Sequence, residues 1–121
     1  MKTSHKALGA IAAVAIGAAL VNDLINQEAN SLERVSQRVG LSVDCEILKL
    51  DSGRWGVCRY QNGAMASAWL KRGEQWVTAN GNAIEVIDRL DKLPTEQLQN
   101  IPSVMHDRSN PPNMPAELLQ R

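Results

Sequence analysis

The chain has 121 residues, 44% of them hydrophobic, with thirteen basic and thirteen acidic side chains and no net charge. No charge block or basic stripe occurs, and the balance persists from Leu32 onward with eleven of each sign, which excludes the electrostatic footprint of a nucleic-acid binder. A soluble part of about 90 residues can bury one modest core, to which a covalent staple would add a useful margin.

The N-terminus carries Lys2 and Lys6 and no acid before Asp23. An uncharged run follows from Ala7 to Val21, seven of whose fifteen residues are alanine. A basic start and a short apolar stretch form the pattern of a secretory signal. The run is short for a membrane span, which needs about 20 apolar residues. Small residues at Ala29-Asn30-Ser31, ahead of Leu32, and at Gly17-Ala18-Ala19 offer two cut sites. Val21, Ile25, Glu28, Leu32, Val35 and Val39 form a heptad-like stripe leading out of the run, which supports an anchor instead. Either way, the positive N-terminus stays inside and the rest goes outside. Residues 1–31 are therefore expected to be a signal peptide or membrane anchor with a hydrophobic helix. The protein is expected to be exported, on the periplasmic or extracellular side, with residues 7–25 able to hold it in an inner membrane.

A small α+β domain is expected over 32–101. Leu32, Val35 and Val39 mark a short helix face, and Gly40 is placed to end it. Four strand-like segments follow: Val43–Leu50, Arg54–Tyr60, Ala64–Leu70 and Glu74–Ala79. Turn residues separate them, including Asn62-Gly63, the strongest short hairpin signal. The spacing predicts a four-stranded antiparallel meander. A two-residue turn at Asn62-Gly63 sets Gly56 opposite Trp69 and Trp55 opposite Leu70. One at Arg72-Gly73 sets Trp69 opposite Trp76. With no Phe in the chain, Trp55, Tyr60, Trp69 and Trp76 are expected to carry the aromatic part of the core. Asn82 with Glu85 three residues on resembles a capping box. It opens an amphipathic helix reaching Leu93 through Ala83, Val86, Ile87 and Leu90, expected to lie across the sheet. Residues 102–121, with Pro111, Pro112 and Pro115, are expected to be an extended, mobile tail making few core contacts, with Pro115-Ala116-Glu117-Leu118-Leu119-Gln120 able to make a terminal helical turn, as against a partner.

Chemistry-bearing residues are sparse. The two cysteines, Cys45 and Cys58, are expected to form a disulfide in an exported protein. One register of the first hairpin sets them directly opposite; a bulge at Gly53 would displace them by one residue. The two histidines, His5 in the targeting segment and His106 in the tail, leave a Cys/His metal site or a histidine-based triad hard to build, and none is expected. No phosphate loop, dinucleotide turn or zinc-protease motif occurs, and no cofactor is expected. Asp44, Glu46 and Asp51 are acids near the first hairpin. Arg54, Arg59, Lys71 and Arg72 read as solvated strand-end charges.

Gly56-Val57-Cys58-Arg59-Tyr60-Gln61-Asn62-Gly63, followed by Trp69 and Arg72-Gly73-Glu74, resembles a family of small exported bacterial domains of unknown function. Its members are commonly labelled hemolysins, a label that shows no lytic activity by itself. The family pattern is Gly-x-Cys-x-aromatic-x-Asp-Gly with a Trp eleven residues after the Cys, and Trp69 is eleven residues after Cys58. The likeness covers about residues 35–74. Ser36 and Ala66 stand where the family often has further cysteines, Cys45 has no counterpart, and the lipoprotein cysteine is absent. The family's disulfide plan therefore does not transfer. The resemblance implies an exported domain with no assigned activity.

Three functions follow as expectations. The first is a non-catalytic cell-envelope module that binds a protein or an envelope component, membrane included, with its oligomeric state open. The second is a small exported enzyme using the acids of the first hairpin. The third is a membrane-active protein working through residues 7–25.

Overall fold

The computed structural model describes residues 24–120, and the side chains of residues 24–119. Residues 7–23 of the expected hydrophobic N-terminal segment, 7–25, lie outside them. The first described element, helix α1, covers 24–38. Ala29, Leu32, Val35 and Ser36 are its buried positions, spaced as one face of a helix demands. Gly40 ends it with φ +83°. Gly40 N–H donates to the Gln37 carbonyl and Leu41 N–H to the Ser36 carbonyl, a glycine-terminated Schellman closure. α1 passes without a break through the boundary expected at Leu32, so the folded unit takes in residues on its N-terminal side.

A sheet follows: β1 Asp44–Leu50, β2 Gly53–Arg59, β3 Met65–Arg72 and β4 Gln75–Thr78. These four strands pair as an antiparallel meander. Between β1 and β2 the register sets Cys45 opposite Cys58. Between β2 and β3, Trp55 faces Leu70 and Gly56 faces Trp69. The tip that produces this register is not the expected two-residue turn. Tyr60 N–H donates to the Ala64 carbonyl, leaving a three-residue loop of Gln61, Asn62 and Gly63 with Gly63 at φ +86°. A bulge next to the Cys58–Ser67 pair, with Ala66 as the extra residue, takes up the difference.

The β3–β4 hairpin corrects the sequence reading. Its two-residue turn is Gly73-Glu74, so Thr78 lies opposite Trp69 and Lys71 opposite Trp76. Gly73 has φ +60° while Glu74 does not enter the left-handed region. A turn with glycine in the first central position is the one that matches strand twist here.

Helix α2 spans Gly81–Leu90. Its N-cap is Asn80 rather than Asn82. The Asn80 carboxamide oxygen accepts from Ala83 N–H at 2.9 Å and from Ala68 N–H of β3 at 3.2 Å. The second bond fixes the choice, because it joins the helix start to the sheet. After Leu90 the chain turns out of the helix, three residues short of the expected end. A 3-10 turn over Thr95–Leu98 follows.

The sheet has a fifth strand that the sequence reading lacked. β5, Val104–Met105, pairs in parallel with β4, Trp76 opposite Val104. The described residues are thus α+β, with two α-helices and a five-stranded sheet in the order β1-β2-β3-β4-β5. Leu32 and Val35 of α1 and Ala83, Val86 and Leu90 of α2 join Cys58, Trp69 and Trp76 of the sheet in the main hydrophobic cluster. Trp55 and Val57, which alternate with Gly56 and Cys58, point to the opposite face. They form a second cluster with Leu118.

That cluster corrects the expectation that residues after Pro102 make few core contacts. Leu118 is fully buried, and Met114 packs beside it. A five-residue 3-10 turn, Ala116–Gln120, places Leu118 there. Three prolines cannot continue a helix or a central strand, but they do not prevent a chain from packing over a sheet.

Candidate functional site

Cys45 and Cys58 are bonded to each other, with Cα atoms 4.0 Å apart. Directly opposed residues in a non-hydrogen-bonded antiparallel pair bring their side chains closest. The outward N–H of Cys45 donates to the Glu33 carboxylate of α1 at 2.8 Å, so this edge group is satisfied as well. The bond is part of the core, since Cys58 is fully buried.

Trp69 and Trp76 lie in the cluster under the helices and Trp55 on the other face. The Trp69 indole N–H donates to the buried Ser67 hydroxyl at 2.9 Å. Tyr60 is half-buried and lines a small cavity of about 40 Å³ with Ser36, Ser67, Glu85 and Arg89. That is room for about one water molecule.

Of the acids of the first hairpin, two share one side of β1 and the third lies apart. Asp44 and Glu46 are exposed on β1 beside a shallow depression. Asp51 sits in the turn after Leu50, at the other end of that strand. No group of three metal-ligating side chains occurs among the described residues. No described helix is long and apolar enough to cross a membrane.

The strand-end cations are engaged rather than free. Glu28 of α1 pairs with Arg54 at 2.9 Å and Lys71 at 3.3 Å. Lys71 also lies 5.0 Å from the centre of the Trp76 ring, within cation–π range. Glu28, the residue that interrupts the apolar stripe of α1, thus ties that helix to β2 and β3.

The richest constellation is the sheet face carrying Trp55 and Val57. Leu48, Leu50, Met65, Leu70 and Ala79 complete it, and Met114 and Leu118 lie on it. The Trp55 indole N–H donates to the Ser52 hydroxyl of its own hairpin at 2.9 Å. Two arginines flank the face. Arg59 donates to the Leu118 carbonyl at 2.8 Å and to the Gly63 carbonyl of its own hairpin loop at 3.2 Å. Arg72 donates to the Asn110 carbonyl at 2.6 Å and meets the Asp107 carboxylate at 3.2 Å.

Asp107 organises the start of this C-terminal strap. The Ser109 hydroxyl and the Asn110 and Ser109 N–H groups donate to it. These bonds, the Ser109 hydroxyl foremost, with a smaller contribution from Arg72, hold its carboxyl below the ordinary aspartate range. Next to it, His106 Nδ1 lies 2.8 Å from the Thr78 hydroxyl.

Comparison of the chain with family models, curated proteins and solved structures found no match.

Sequence reasoning missed the partnership of Arg59, Arg72 and Leu118. The available signal was the period-two alternation of Leu48 and Leu50, Trp55 and Val57, and Leu70. It marks a second apolar face that needs a cover.

Proposed function

We propose that this chain is a non-catalytic cell-envelope module. Its folded domain stands on the outer side of a membrane, targeted or held there by the N-terminal run, and binds a protein or envelope component. The observation that carries the reading is the Cys45–Cys58 disulfide. Structural disulfides persist in oxidising compartments and are rare in reducing ones. The basic start and apolar run before residue 22 supply the route. The resemblance of residues 35–74 to small exported domains agrees with the same address. Asp44 and Glu46 lie exposed on β1 and Asp51 at the other end of that strand, so the three acids of the carboxylate-enzyme alternative do not share one enclosed pocket.

Intact mass of the native protein, taken from separated membrane and soluble fractions, tests the reading. Expected is an outer-side or membrane-associated species lacking two hydrogens relative to the dithiol. A reduced chain recovered wholly from the cytosol would sink it.

A further inference from the structure

We propose that Asn62 is a site of spontaneous covalent modification, where the side-chain amide is lost and a carboxylate takes its place, and that the fold protects the chain's other Asn-Gly step, Asn80-Gly81, from the same reaction. The reaction is independent of where the domain resides.

The chain contains two Asn-Gly steps, Asn62-Gly63 and Asn80-Gly81. Such a step is reactive because glycine, with no Cβ, lets its backbone nitrogen approach the asparagine side chain closely. Hydroxide removes the proton from the glycine nitrogen, which then attacks Cγ. A C–N bond forms and the Cγ–Nδ2 bond breaks. Nδ2 leaves as ammonia, taking a proton from water, and a five-membered imide remains. Water then opens one of the two carbonyl–nitrogen bonds of the imide. One opening gives aspartate, and the other gives its isomer with the backbone routed through Cγ. Water is the co-reactant, hydroxide is regenerated, and no atom is oxidised or reduced.

The two steps differ in what holds them. Asn62 is exposed in the loop between β2 and β3, and so are Gln61, Gly63 and Ala64. The Asn62 carboxamide oxygen accepts from Ala64 N–H at 3.0 Å. Gly63 N–H donates to the Tyr60 carbonyl at 2.9 Å. Both bonds stay within residues 60–64, so opening the loop tip frees the nucleophile and the side chain together, without disturbing either apolar cluster. A Cβ placed at Gly63 would meet nothing within 4 Å, so no packing resists that movement.

Asn80 is half-buried. Its carboxamide oxygen accepts from Ala83 N–H of α2 and from Ala68 N–H of β3. Swinging its Cγ toward the Gly81 nitrogen breaks the helix cap and the tie between helix and sheet. Ala68 and Ala83 are both fully buried, so this opening belongs to the more stable part of the fold. Reaction at Asn62 has a local electrostatic result. Its neighbours Gln61 and Gly63 line the shallow depression that Asp44, Glu46 and Arg59 also line, and the new carboxylate adds a negative charge beside it.

The test follows the folded, oxidised full chain in mildly alkaline buffer by tryptic peptide mapping. Trypsin places the two steps on separate peptides, Tyr60–Lys71 and Gly73–Arg89. In the folded chain the first peptide is expected to gain the mass of the amide-to-acid change roughly tenfold faster than the second, or more. In urea with reductant the two should react at similar rates. Asn62→Gln should abolish the gain in Tyr60–Lys71, and an Asn62→Asp chain supplies the standard for one of the two products. Equal rates in the folded chain, or faster reaction at Asn80, overturn the proposal. So does a Tyr60–Lys71 peptide that stays unchanged in the folded chain while the unfolded chain reacts, or one that still gains mass in Asn62→Gln. The same rate ratio in the unfolded chain would overturn protection of Asn80 by the fold.

Discussion

Gly56 lies where α1 passes closest to the sheet. A methyl group added there would strike Leu32 Cδ1 and crowd the Trp76 ring at 3.3 Å. Both neighbours are fully buried, so neither has free space to enter, and overpacking of this kind costs about 1–3 kcal/mol. Gly56→Ala is expected to lower the urea midpoint accordingly. Combined with Leu32→Ala it should cost less than the sum of the two single changes, because the truncated leucine vacates the space. Additive losses would show that the two side chains do not meet. Asn80 is a second single-residue support. Its one carboxamide oxygen serves the first turn of α2 and β3 together. Asn80→Ala should therefore destabilise by about 1–2 kcal/mol, the upper part of the range for a lost N-cap. Asn82→Ala should change little, and equal effects from the two would refute the assignment of the cap.

At the scale of elements, the first hairpin is held by its ladder and by one covalent bond across it. The bond closes a loop of twelve residues between Cys45 and Cys58, worth roughly 3 kcal/mol in the chain-entropy account. Reduction, or a paired Cys45→Ala and Cys58→Ala substitution, should remove about that much stability in denaturant unfolding, and an unchanged midpoint would contradict it. The strands around this bond were legible because turn residues punctuate the sequence and apolar residues alternate between them. Turn detail was less legible. The Asn62-Gly63 signal led to the right pairing of Trp55 and Gly56 by way of a loop and a bulge that it does not specify. Between Arg72 and Gln75, one residue of uncertainty in the turn moved Trp76 from Trp69 to Lys71. The start of α2 slipped by two residues because Asn80 and Asn82 are both good caps locally. Only contact with Ala68, a residue distant in sequence, separates them. β5 is two residues long and has no periodicity to read. Leu118 was hidden for a related reason: its burial depends on Trp55 and Val57, some sixty positions away, and no local pattern encodes such a contact.

For the whole molecule, the two-sided sheet predicts two kinds of stability. Core protection should reside under α1 and α2, while the strap face should open at lower free energy, as a satellite cluster does. Hydrogen exchange at the amides of residues 114 and 116–119 is expected to outpace exchange at β3, and equal protection would contradict this. Acid should act on the strap through Asp107. Its carboxyl lies below the ordinary value, so its contribution is full above the unfolded-state pKa of about 4. That contribution is lost as pH falls through the lower folded value. The stability gap between wild type and Asp107→Asn should therefore narrow in strong acid, whereas a gap independent of pH would exclude the linkage. The attachment of α1 has a consequence for maturation. A peptidase cutting ahead of Leu32 would discard Glu28 and Ala29, leave Arg54 and Lys71 without the carboxylate they share, and shorten the helix that covers the core. A cut after Ala19 would spare every one of these contacts. If processing occurs, Edman sequencing of the mature protein should therefore start near Leu20 rather than at Leu32, because the folded domain includes the later cut site within its own first helix.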